Sequence, residues 1–101
     1  MRKVTQTIAN AFAQGNEMTL GNTATVHGEN GIAVKLHGNT IALKNDSGLY
    51  MTLAGWNTTT TRERLNGIAQ VLGLKASFTQ KKFKPYFNGK QVGINQLFKV
   101  S

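Results

Sequence analysis

The sequence contains no cysteine. That absence excludes disulfides, thiolate metal sites and a cysteine nucleophile. Acids are almost as scarce, with Glu17, Glu29, Asp46 and Glu63 set against twelve lysines and arginines to leave a net charge of +8. Each acid falls at an expected turn or helix cap, and no two are spaced as a general acid and base. Nor does any stretch approach the ~20 apolar residues that span a bilayer. The opening Met1-Arg-Lys-Val-Thr-Gln6 lacks the apolar segment of a secretion signal. The expectation is a cytoplasmic protein, without a membrane span, made as one domain over residues 1–101 around a single modest core.

Histidines and serines add no catalytic signal. His27 and His37 are expected on one sheet face but have no third ligand near them, and a protein metal site needs at least three. Ser47 and Ser77 lack a neighbouring histidine and acid. No catalytic site, metal or cofactor is therefore expected, and the glycines are spaced by turns and not as a phosphate loop.

What is present is organised around Ala54-Gly-Trp-Asn-Thr-Thr-Thr-Thr-Arg-Glu-Arg-Leu-Asn66. Thr60 and Glu63 have the spacing of a capping box. Behind them Leu65, Ile68, Ala69 and Leu72 recur with helical period, and Gly73 supplies a stop. A first helix is expected over residues 3–14, with Val4, Ile8, Ala11 and Phe12 on one stripe and Gly15-Asn16 as its stop. Between the helices lies a repeat with an offset of 17 residues, Leu20 to Ile32 against His37 to Leu49. Each copy holds a Gly-Asn turn, a strand, an acidic loop ending in glycine and a second strand. Three-residue loops ending at Gly31 and Gly48, both at positive φ, would pair Val26 with Val34 and Leu43 with Met51.

These signals predict an antiparallel meander with strands near 17–20, 23–28, 32–37, 40–45 and 49–55. Its core face would carry Ala24, Val26, Ile32, Val34, Leu36, Ile41, Leu43, Leu49, Met51 and Leu53. The opposite face would be small and polar, including Thr23, Thr25, Ala42 and Tyr50, with Trp56 at its margin. Further strands are expected near 76–82, 85–88 and 91–93, with Lys82-Phe83-Lys84 at or near a turn. Asn88-Gly89 marks another turn, and the single proline, Pro85, argues against a central strand there. A last short strand falls within 94–100. The fold class is α+β: an N-terminal helix, the meander with its internal repeat, a second helix and a C-terminal β-hairpin, both helices covering the apolar sheet face.

Charge points to a partner. Residues 1–56 balance Arg2, Lys3, Lys35 and Lys44 against Glu17, Glu29 and Asp46, a net of +1. Residues 57–101 set Arg62, Arg64, Lys75, Lys81, Lys82, Lys84, Lys90 and Lys99 against Glu63 alone, a net of +7. A field this lopsided favours DNA or RNA. The run Lys81 to Lys90 interleaves lysines with Phe83, Tyr86 and Phe87, so that lysines neutralise phosphates while an exposed ring stacks on a base. Arg62 and Arg64 fall where cations oppose the helix macrodipole, which suggests another use for them. The candidate nucleic-acid-binding residues are Arg62, Arg64, Lys75, Lys81, Lys82, Lys84, Tyr86 and Lys90. The plain alternative is a solvated rim of lysines over Phe78, Phe83 and Phe87 in the core. A rival use is docking of a host protein on the sheet's outer face, with Tyr50 and Trp56 the residues to watch.

Gly55-Trp56, Thr58 to Thr61, Arg62, Arg64-Leu65-Asn66, Gln80-Lys81 and Tyr86-Phe87-Asn88-Gly89, with Leu36-His-Gly-Asn39 upstream, resemble a family of small proteins of unknown function encoded by phages and other mobile elements. Its members show a G-W-x-T-x-T-T-x-x-R-L-N segment. The resemblance covers most of the chain and implies an origin more than a mechanism. The run Lys81 to Lys84 is more basic than the family pattern. The function expected is that of a non-enzymatic phage-type accessory protein acting on nucleic acid, with a module that inhibits or redirects a host protein as the alternative.

Overall fold

The stripe of Ile8, Ala11 and Phe12 does form a helix, α1 (Lys3–Gln14), in the computed structural model, which describes residues 1–101. It ends at Gly15, φ 75°, where the left-handed turn lets the Asn16 N–H reach the Ala11 carbonyl at 2.8 Å. The second helix, α2 (Thr59–Leu72), ends the same way at Gly73, φ 68°. Its start differs from the expected capping box. Thr58, and not Thr60, is the cap, accepting from the Thr61 N–H at 3.1 Å. Four consecutive threonines offer four caps, and the box fails because Glu63 turns away from the helix start to a partner on α1.

Six strands form the main antiparallel sheet: β1 (Met18–Leu20), β2 (Thr23–His27), β3 (Gly31–Leu36), β4 (Asn39–Asn45), β5 (Gly48–Met51) and, at the far edge, β9 (Phe98–Lys99). A separate three-stranded sheet holds β6 (Phe78–Lys81), β7 (Lys84–Phe87) and β8 (Lys90–Gln91). Both helices and the inner face of the main sheet share one core, built on Ile8, Phe12, Val34, Ile41, Met51, Leu53, Leu65, Ile68 and Phe78. Each such side chain, fully buried, contributes about 1.5–3 kcal/mol. The helices can approach because Gly67 faces Thr5: a β carbon on Gly67 would collide with the Thr5 methyl group.

The register departs from the expected one by a residue. Thr25 pairs with Val34, Val26 with Ala33, Ala42 with Met51 and Leu43 with Tyr50. The acidic loops are therefore two-residue connections, Glu29-Asn30 and Asp46-Ser47, and not three-residue ones. Gly48 has a positive φ of 143°, whereas Gly31 does not. Gly31 is needed for space, since a β carbon there would strike the Lys44 carbonyl on β4.

The slip turns Val26 and Leu43 outward and brings Thr23, Thr25 and Ala42 into the core. Two turns explain how both repeat copies stay in phase. Leu20 pairs with Thr23 across Gly21-Asn22, but Leu36 pairs with Asn39 across His37-Gly38, one residue earlier in the repeat. A bulge at Ile41, opposite the Val34/Lys35 step, restores the phase and buries Ile41 and Ala42 together. Buried threonines are tolerated on β2 because their hydroxyls are engaged: Thr25 donates to the Asn16 carbonyl at 2.6 Å and Thr23 to Asn22 Oδ1 at 2.8 Å.

Pro85 also corrects an expectation, for it lies in the middle strand of the small sheet. Its carbonyl faces β8 and accepts from the Val92 N–H at 3.0 Å, so its hydrogen-free nitrogen points the same way. The ladder between β6 and β7 needs no donor from it, and β8 is too short to need one.

Candidate nucleic-acid interface

The β6–β7 hairpin sorts its residues by parity. Phe78 stands opposite Phe87 and Gln80 opposite Pro85, while Thr79 stands opposite Tyr86 and Lys81 opposite Lys84. The first set turns inward, where Phe78 lies 5.0 Å from Phe87 and 5.7 Å from Phe98, ring centre to ring centre. The second set turns outward. Lys81, Lys84 and Tyr86 therefore share one face, joined by Thr79 and, across β8, Gln91. Two lysines directly opposite each other repel. No lysine of the chain makes an ion pair; the two found are His27–Glu17 and Arg64–Glu63.

Lys82 occupies the hairpin turn beside Phe83, fully outside the ladder. Lys75 is exposed before β6, its carbonyl held by Asn88 Nδ2 at 2.9 Å. Lys90 is exposed too, but by its pairing with Phe87 it belongs to the inward parity at the sheet's edge. The face assembled by the fold is thus Lys81, Lys84 and Tyr86, with Lys82 above it and Lys75 and Lys90 to the side.

The arginines separate. Arg62 is half-buried and braces the hairpin: its Nη1 donates to Asn57 Oδ1 and, at 3.3 Å, to Gln80 Oε1. Asn57 Nδ2 donates in turn to Gln80 Oε1 at 3.3 Å and to the Phe83 carbonyl at 3.4 Å. Arg64 is only 3 % exposed and leaves the candidate set. Its Nε donates to Thr23 Oγ1 at 3.0 Å, and its Nη1 to Thr5 Oγ1 at 2.8 Å and to the Glu63 carboxylate. A guanidinium so engaged inside the core cannot meet a phosphate at the surface. Burial of Glu63 opposes its charged form, but hydrogen bonds from the Thr5 hydroxyl, the Arg2 N–H and Arg64, with the Arg64 charge, outweigh it and hold its pKa below the ordinary glutamate value.

One residue of the site was missed. Phe83, outside the candidate set and in the core only on the plain alternative, is 89 % exposed at the hairpin tip. Its flanking by Lys82 and Lys84 at an expected turn was the available signal, since a turn tip has no core to enter.

The rival surface is also defined. The outer face of the main sheet carries Val26, Ala33, Leu43 and Tyr50 in one cross-strand row, each half-exposed. Tyr50 shares a hydrogen bond with Ser47 Oγ at 2.9 Å. Trp56, 57 % exposed, stands over a cleft of about 320 Å³ that also touches Leu36, His37, Ile41 and Thr58. His27 and His37 do not share a face: His27 reaches the Gly15 carbonyl at the end of α1, and His37 sits in a turn beside Asn22. No three histidine, aspartate or glutamate side chains converge as a metal site. No helix is long and apolar enough to cross a membrane.

Comparison with curated proteins and with solved structures finds no match to this chain. A family model described as the Kyanoviridae Gp96 protein matches residues 1–100, and the chain belongs to that phage protein family.

Proposed function

We propose that the chain is a non-enzymatic phage accessory protein, acting in the host cytoplasm, that binds nucleic acid through the outward face of the β6–β7 hairpin. The observation that carries this reading is the Lys81–Lys84 cross-strand pair beside Tyr86, with no acid near enough to pair with either lysine. Opposed like charges are a cost in the free protein that a phosphate backbone turns into a gain. Glu63, the one acid in the C-terminal half, is held against Arg64 and does not screen the face.

Affinity for mixed-sequence DNA and RNA oligonucleotides, single- and double-stranded, is to be measured against salt. On this reading it falls steeply as salt rises, because binding releases condensed counterions. Changing Lys81, Lys82 and Lys84 together to Gln is expected to lower the log–log slope by about 0.7–0.9 for each phosphate that is no longer neutralised. Tyr86→Ala is expected to weaken binding with the slope almost unchanged, since stacking displaces few ions. No binding to any probe at low salt would sink the reading. Docking of a host protein on the outer sheet face would then lead, favoured by the apolar row from Val26 to Tyr50 and by exposed Trp56.

A further inference from the structure

Four hairpins of the fold place positive φ angles in their two-residue turns. Gly21-Asn22, His37-Gly38 and Asn88-Gly89 each use a glycine, which reaches that region without steric cost. The fourth is Lys82-Phe83, at φ 51° and 64°. Here the second position, where type I′ turns favour glycine, holds an aromatic residue. The ring gains nothing from the protein in return, since it is 89 % exposed. Backbone strain that yields no packing is found where the strained side chain has an external task.

The tip is also fastened. Asn57 donates to the Phe83 carbonyl and to Gln80, and Arg62 donates to both Asn57 and Gln80, so the turn is tied back to the start of α2. Phe83 is thus an apolar ring held out on a braced hairpin, with Lys82 and Lys84 beside it and Lys81 across the turn.

We infer that Phe83 is a stacking wedge that enters between unpaired bases, making single-stranded nucleic acid the preferred ligand of the hairpin. The inference rests on the nucleic-acid reading above and narrows it. A ring at a tip can stack on a base whose face is free, but in an intact duplex the faces are already stacked and opening them costs free energy. The lysines around the ring follow the phosphates on either side of the base that it meets. Tyr86, on the outward face of the same hairpin, offers a second ring to the same strand. A single phenylalanine with a few lysines makes a weak membrane anchor, whereas it makes a complete base-stacking unit.

The test uses the full chain with a labelled 12-nucleotide single strand and a blunt duplex of the same sequence, in DNA and in RNA. Wild type is expected to favour the single strand. Phe83→Ala is expected to weaken single-strand binding about tenfold or more, the effect of losing one stack, while duplex affinity and both salt slopes stay as they were. Phe83→Tyr is expected to keep the preference. Phe83→Gly is expected to lose it while melting at or above wild type, because glycine relieves the turn. If wild type binds both probes and Phe83→Ala leaves the single-strand affinity intact, the wedge is overturned while the lysine face stands. If wild type binds neither probe at low salt, the underlying reading fails and the wedge with it. Phe83-dependent binding to phosphatidylserine vesicles without oligonucleotide binding would overturn the inference in favour of a lipid surface.

Discussion

Arg64 and the hairpin lysines carry the same charge in the same half of the chain, yet the fold treats them in opposite ways. Arg64 is enclosed by Thr5, Thr23 and Glu63 and joins α2 to α1 and β2. Lys81, Lys82 and Lys84 have no acid and no cover. Net charge therefore does not locate a binding surface. What locates it is the set of cations left after the few acids have been assigned, and here the only nearby acid points inward. Arg62 stands between the two cases, two residues from Arg64 but turned to the hairpin, where it fixes other residues' positions.

Substitutions tell the two kinds of cation apart, and the heaviest loss is expected at Arg64. Arg64→Ala leaves the Glu63 carboxylate, part-buried, without its cation and takes from the Thr5 and Thr23 hydroxyls the donor that they accept from. It is expected to destabilise the fold by about 3–5 kcal/mol, as loss of one member of a buried pair does. A thermal melt or urea titration reads this, and a variant that melts normally but binds nucleic acid poorly would return Arg64 to the surface set. Leu65→Ala, next to it on the helix, provides a yardstick at about 2–5 kcal/mol. Gly67→Ala is expected to cost about 1–3 kcal/mol through overpacking against Thr5, partly offset by the better helix propensity of alanine.

Acid gives a smaller and more selective signal. Because the folded pKa of Glu63 is depressed, its contribution is present at neutral pH, begins to fall below about pH 4.5 and is lost as pH drops through the folded value. Stability measured from pH 7 to 3 is expected to decline in that window in wild type, with a shallower decline in Glu63→Gln. Equal slopes would show that the carboxylate gains nothing from Arg64 and Thr5. The lysines should matter least to stability: the triple Gln variant is expected to melt within about 0.5 kcal/mol of wild type, as exposed substitutions do. A large loss would show that they support the structure.

Both helices were legible in the sequence because a stripe such as Ile8, Ala11, Phe12 and a glycine stop are local signals. The order of the meander was legible for the same reason. Its register was not. Whether Val26 or Thr25 faces inward turns on one residue in a loop, and apolar alternation favoured Val26. The fold instead buries Thr23 and Thr25, because Asn16, before the meander, and Arg64, far away in sequence, supply partners for them. The cap was misplaced by the same kind of long-range contact, Glu63 meeting Thr5. At the hairpin, turn and charge were readable, but which of three phenylalanines would be left outside depended on the pairing of β6 with β7.

The last strand bears on the order of assembly. β9 joins β5 through Tyr50–Lys99 and Met51–Phe98, continued by the Val100 N–H to the Leu49 carbonyl at 2.8 Å and the Leu49 N–H to the Ser101 carbonyl at 3.0 Å. Phe98 stacks on Phe87 at 4.2 Å, so the same short segment pins the small sheet to the large one. Every other ladder of the main sheet links neighbours in sequence, while this one closes a loop that contains all of α2 and the hairpin. Closing so long a loop with so few residues is expected to come late in folding and to reopen before the central ladders do. Amide hydrogens at Leu49 and Val100 are expected to exchange sooner than those of β3 and β4. Each such opening briefly frees the edge of β5 and loosens the hairpin's seat.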